Sequence, residues 1–97
     1  MSSHLYQSRM VVEAHRVPTE EMDQSDWLLE HGTIAGWLMR WLGDAWCVAE
    51  DVGYDLPNTR HGSPLHAAPG DWIIRSKDND FRVLDHDTFV LQFEAIP

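Results

Sequence analysis

The chain has 97 residues, 43% of them hydrophobic, and 16 acids against 7 bases give it a formal charge of -9. That apolar content excludes a disordered chain, and the length leaves room for one domain over 1–97. The acid excess excludes a nucleic-acid binder that works through clustered Lys and Arg, and a single Cys, Cys47, excludes an internal disulfide or a cysteine zinc finger.

Residues 1–8 contain no apolar run of signal-peptide length and are expected to be flexible. The β-branched stretch in 9–17 predicts a first strand, stopped by Pro18. A helix start follows, with Thr19 or Ser25 as the cap and acids in the first turn. Ile34, Trp37, Leu38, Trp41 and Leu42 then fall on one helical stripe. Gly32 and Gly36 admit two readings, two short helices with a kink or one helix from about 23 to 42; the kinked pair is the preferred one. The opposite face of this segment carries almost no charge, which suggests that the sheet, a copy of the chain or a partner covers it.

Ala45–Glu50 reads as a second strand, in which Cys47 is expected to be a buried, inert thiol. Residues 51–70 carry Gly53, Pro57, Gly62 and Pro64 ahead of the Pro69-Gly70 turn, which predicts a long irregular loop with at most one short strand near 63–67. Asp71–Ser76 and Phe81–Asp85 form a hairpin across Lys77-Asp78-Asn79-Asp80. Gly70 takes positive φ and Asp71 bonds the turn amides, so that Trp72 and Ile74 face one side of the strand and Ile73 and Arg75 the other. One helical turn at Phe89 and a last strand over 90–95 complete the chain. The expected fold is α+β, a mainly antiparallel sheet of four to five strands with one or two short helices packed on one face. In that arrangement Ile34, Leu38, Trp41 and Leu42 pack against Trp72, Ile74, Val83 and Phe93.

Candidate chemistry is sparse. His61 and His66 flank a Pro-containing loop, and Asp85 and Asp87 flank His86. A metal site needs three or four converging ligands, and no tight ligand motif is present, so no metal or cofactor is expected. Nucleophile elbows and phosphate loops are absent, and no enzyme is expected. Charge is more informative. Glu20, Glu21, Asp23, Asp26, Glu30, Asp44, Glu50, Asp51 and Asp55 lie between Val17 and Thr59, a span whose one base is Arg40. These nine acids, with Trp37 and Trp41, are the candidate partner-binding residues, although the stripe of the two tryptophans suits a buried core face better.

Two blocks, Val11-Val12-Glu13-Ala14 and Pro69-Gly70-Asp71-Trp72-Ile73-Ile74-Arg75 with Phe81, Phe89, Phe93 and Glu94, resemble a family of short accessory proteins of tailed bacteriophages and prophages. The chain departs from that pattern at Lys77-Asp78-Asn79-Asp80, where many relatives carry glycines. The family supplies no catalytic residues; the resemblance implies an accessory protein acting in the bacterial host cytoplasm. The leading expectation is a non-enzymatic protein that binds a host protein through an acidic surface that competes for a nucleic-acid-binding site. It touches neither nucleic acid nor membrane itself. The alternatives are a self-assembling homodimer with the apolar helix as seam, and a small metal- or ligand-binding enzyme using the His61–His66 loop.

Overall fold

The computed structural model describes residues 4–7, 11–57, 64–76 and 80–95. The fold is α+β. Strand β1 (His4–Gln7) pairs with β2 (Val11–Arg16), which precedes helix α1 (Gln24–Leu42). Then come β3 (Cys47–Val48), β4 (Tyr54–Leu56), β5 (Leu65–Ala67), β6 (Trp72–Arg75), β7 (Phe81–Leu84), helix α2 (His86–Gln92) and β8 (Glu94–Ala95). Two antiparallel sheets result, one of five strands in the order β7-β6-β2-β1-β8 and one of three in the order β3-β4-β5.

Strand β2 ends because Val17 donates to Asp71 O and accepts from Gly70 N, turning the chain at Pro18. Helix α1 begins at Asp23, whose carboxylate accepts from Ser25 N at 3.1 Å, rather than at Thr19 or Ser25. It ends at Gly43, with φ 62, whose N–H donates to Met39 O. Contrary to the kinked pair expected, α1 is one uninterrupted helix of 19 residues. Two glycines cost it about 1 kcal/mol each against alanine. Burying Ile34, Trp37 and Leu38 contributes roughly 1.5–3 kcal/mol apiece, so packing wins.

Pairing of Ile73 with His15 and of Ile74 with Ala14 sends these neighbours to opposite faces of the five-stranded sheet. On one face Ile73 and Phe81 join Val17, the α1 residues Ile34, Trp37 and Leu38, and Tyr54, Leu56 and Ala67 of the small sheet in one core cluster. On the other, Val12, Ala14 and Ile74 pack with Phe89 and Phe93, and Trp72 stacks on Phe89 with ring centroids 3.9 Å apart. The two helices therefore cover opposite faces rather than one. The pairing of α1 with Trp72, Ile74 and Phe93 is corrected accordingly. Those three belong to the α2 side, whereas Val83 does lie on the α1 side.

The hairpin and its entry match expectation. Gly70 has φ 91, Ala68 N donates to Asp71 Oδ2 at 3.0 Å, and β6 pairs with β7. Three other expectations change. His4–Gln7, within the segment expected to be flexible, form strand β1. Within 51–70, Leu65–Ala67 form β5 where a short strand near 63–67 is expected, but Tyr54–Leu56 add β4, and with β3 (Cys47–Val48, in place of a 45–50 strand) they build a separate small sheet. Residues 90–92 are helical, leaving Glu94–Ala95 as the terminal strand. Asp85 caps α2 by accepting from Thr88 N at 2.7 Å, and a helix placed there carries Phe89 onto Trp72.

Candidate functional site

Two concavities flank α1. The smaller, about 350 Å³, lies at its N-terminal end between the turn after β2 and the β3–β4 turn. Pro18, Met22, Trp27, Val52 and Pro69 give it an apolar lining, and Glu20 and Asp51 bring two carboxylates to it. These two acids are 31 positions apart and are united by the docking of the small sheet beside α1. Glu21, Asp23 and Asp26 are exposed on the adjoining turn and first helical turn.

The geometry of the β3–β4 turn fixes Asp51. Ala49 N donates to Gly53 O, Val52 N donates to Ala49 O, and Asp51 Oδ1 accepts from Gly53 N at 2.9 Å. A Cβ at Gly53 would stand 2.1 Å from Ala67 O, so only glycine lets β4 approach β5 here. Val52 between them sits at φ 63, an unfavourable region for a β-branched residue. Asp51 Oδ2 meets His66 Nε2 at 2.9 Å, and Asp55 Oδ1 meets His66 Nδ1 at 2.7 Å. Hydrogen bonds to Asp55 and Asp51 raise the His66 pKa above its ordinary value, and those from His66 and Gly53 lower that of Asp51. The imidazolium thus bridges two carboxylates across β4 and β5. With both ring nitrogens engaged, His66 has none directed elsewhere.

The larger concavity, about 760 Å³, runs between α1 and strands β2 and β6. Gly32, Gly36, Trp37, Arg40 and Trp41 form its helix side, and Glu13, His15 and Arg75 its sheet side. Arg75 Nη2 stands 2.6 Å from Glu13 Oε1. Its guanidinium covers the Trp41 ring, and Arg40 also lies over that ring at 5.2 Å. Behind the small sheet, His31 Nδ1 and the Tyr54 hydroxyl are in hydrogen-bond contact. Burial lowers the His31 pKa and pushes that of Tyr54 up to about 12.

The candidate acids do not form one patch. Glu20 and Asp51 share the small hollow, with Asp51 also bonded to Gly53 N and His66 Nε2. Glu30 turns inward, 3.6 Å from His15 Nδ1, and Asp55 is held by His66. Asp44 follows the far end of α1, about 28 Å from the first turn along a 19-residue helix. Glu50 is exposed in the β3–β4 turn. Trp37 is 6% exposed and belongs to the core, so it is not a surface anchor; Trp41 is half-buried beneath Arg75. Cys47 is exposed rather than buried, with Sγ 3.9 Å from Asp55 Oδ2. Met22 and Val52 were not singled out by sequence; an apolar side chain beside the acidic turn was the available signal.

Among the described residues, no three His, Cys, Asp or Glu side chains gather as a metal-ligand set. His61 lies outside those residues, and Asp85 is occupied as the α2 cap. No described helix is long and apolar enough to cross a membrane. No protein-family profile, curated protein or solved structure matches the chain.

Proposed function

We propose that this chain is a binding protein rather than an enzyme, and that the Glu20–Asp51 hollow takes a basic side chain from a macromolecular partner. The observation that carries the reading is the convergence of Glu20 and Asp51 on one apolar-lined hollow beside Trp27. Such a hollow suits an arginine. Its guanidinium meets the Glu20 carboxylate, with Asp51 alongside in its pair with His66, its methylenes meet Met22 and Val52, and its planar face meets an indole. Exposed Glu21, Asp23 and Asp26 extend the negative field around it and speed the encounter. Surfaces that bind nucleic-acid phosphates are rich in arginine, so carboxylates presented in this way compete for such a surface. The partner class is a host protein, and the setting is the bacterial cytoplasm during phage or prophage expression, as the resemblance of the two sequence blocks implies.

Charge reversal at two ends of α1 tests the reading. The wild-type chain, Glu20→Lys and Asp44→Lys are immobilised and exposed to host lysate at low and moderate salt. A partner retained by the wild type and by Asp44→Lys, lost with Glu20→Lys, and weakened by salt is the expected result. Equal retention by all three, or loss with both variants alike, contradicts it.

A further inference from the structure

We infer that the outward face of α1 is a seam between two copies of this chain, packed as antiparallel helices across Gly32 and Gly36. This surface shares no lining residue with the Glu20–Asp51 hollow. Leu28, Leu29, Gly32, Gly36, Met39 and Arg40 are exposed at helical spacing. Leu29 is 70% and Met39 54% exposed. No carboxylate stands among these six positions in a chain with 16 acids. A helix face meant for water normally carries charges of both signs.

The glycines give independent evidence. A Cβ built on Gly32 or Gly36 meets nothing within 4 Å, and neither residue has positive φ. Nothing inside the molecule requires glycine at either position, although each weakens the helix relative to alanine. Absent side chains on an outward face allow another backbone to approach closely. Beside them runs the 760 Å³ groove, whose wall includes Trp37, a buried residue whose indole N–H has no hydrogen-bond partner among the described residues.

A second copy fits this face better than another occupant. Each copy carries -9, so self-association requires contact through acid-free surface, and α1 presents it. The face is also self-complementary. A two-fold axis at the level of Ile34 sets Gly32 against Gly36 of the second copy and Leu29 against its Met39. Arg40 then lies level with Leu28 of the second copy, within a side chain's length of the acidic first turn at Asp26. Opposite charges meet at both ends of the seam, and the helix dipoles oppose. The groove along that flank contains one carboxylate, Glu13, already paired with Arg75.

Sedimentation equilibrium of the full chain tests the seam, using wild type, the double variant Gly32→Ala/Gly36→Ala, and Leu91→Ser on the exposed face of α2. Wild type is expected to dimerise reversibly. The double variant is expected to weaken self-association by about tenfold or more, while its thermal midpoint as a dilute monomer rises, because alanine favours the helix. Leu91→Ser is expected to dimerise as wild type does. A wild-type chain that stays monomeric at the highest concentrations overturns the inference. So does a dimer untouched by the alanines, or one dissolved by Leu91→Ser.

Discussion

The Arg75 guanidinium carbon lies 3.5 Å from the centroid of the Trp41 ring. One side chain of β6 thereby closes over the last turns of α1 while its Nη2 holds Glu13 on β2. Both members of the ion pair are mostly buried, so removing the cation strands a carboxylate. Arg75→Ala is expected to cost about 2–4 kcal/mol, and Arg75→Lys to recover part of that, because an ammonium keeps the charge and loses the planar stack. Urea unfolding of the two variants measures this. A loss below about 0.5 kcal/mol with Arg75→Ala would show the contact to be passive.

The β3–β4 turn holds two backbone demands of opposite kind. Val52 is a valine at φ 63, where glycine is at ease, and Gly53 admits no Cβ against Ala67 O. Val52→Gly is therefore expected to be neutral or to stabilise by about 1 kcal/mol, and Gly53→Ala to destabilise by about 2 kcal/mol or more. Thermal denaturation distinguishes them by sign. Equal effects of the two substitutions would mean that the turn relaxes and that neither demand is real.

Two histidines titrate in opposite directions. His66 is stabilised as a cation by Asp55 and Asp51, so its folded pKa lies above 6.5. Its contribution is complete below pH 6.5 and fades as pH rises through the folded value. Asp51, held below 3.8, contributes above that value and loses its contribution as pH falls through its lowered pKa. The bridge is therefore best formed between those limits. Burial lowers the His31 pKa below 6.5, so its contribution is present above that value and is lost as pH falls through the folded pKa. Imidazole resonances followed by NMR should give midpoints on either side of the ordinary one. Coincident midpoints for His31 and His66 would refute both environments.

Helix α2 holds its face of the sheet through one ring. Phe89 is buried between Trp72, at 3.9 Å, and Phe93, at 5.0 Å. Phe89→Ala is expected to cost about 3–5 kcal/mol, and Leu91→Ala, on the exposed side, to change stability by less than about 0.5 kcal/mol. Chemical denaturation compares the pair. Similar losses at both positions would mean that α2 is not amphipathic in solution.

The β6–β7 hairpin was legible because its signals are local. Pro69-Gly70-Asp71 sets the turn, and alternation sends Ile73 and Ile74 to different faces. The α1 stripe was legible for the same reason. Gly32 and Gly36 misled because a local penalty was weighed without the burial of Ile34, Trp37 and Leu38 that offsets it. Strand β5 falls where a short strand near 63–67 is expected, but β4 was hidden because three residues bounded by Gly and Pro carry no period of their own; only pairing with β3 and β5 defines it. The α2 helix was legible only as one turn at Phe89, because Leu91, Phe93 and Ala95 alternate as a strand would. Helical spacing of Phe89 and Phe93 was the competing signal, and the Asp85 cap decided in its favour. Of the candidate site, the charges were legible and their grouping was not. Whether Asp51 or Asp44 joins Glu20 depends on how the small sheet docks, which is a tertiary matter.

The most direct test of a contact-based role is an NMR titration of the full chain with a short arginine-rich peptide. Saturable shifts at the Trp27 indole N–H and at the Glu20 and Val52 amides, with Asp44 undisturbed, are what the hollow predicts. Shifts spread over every acidic segment in proportion to charge, with no saturation, would contradict it.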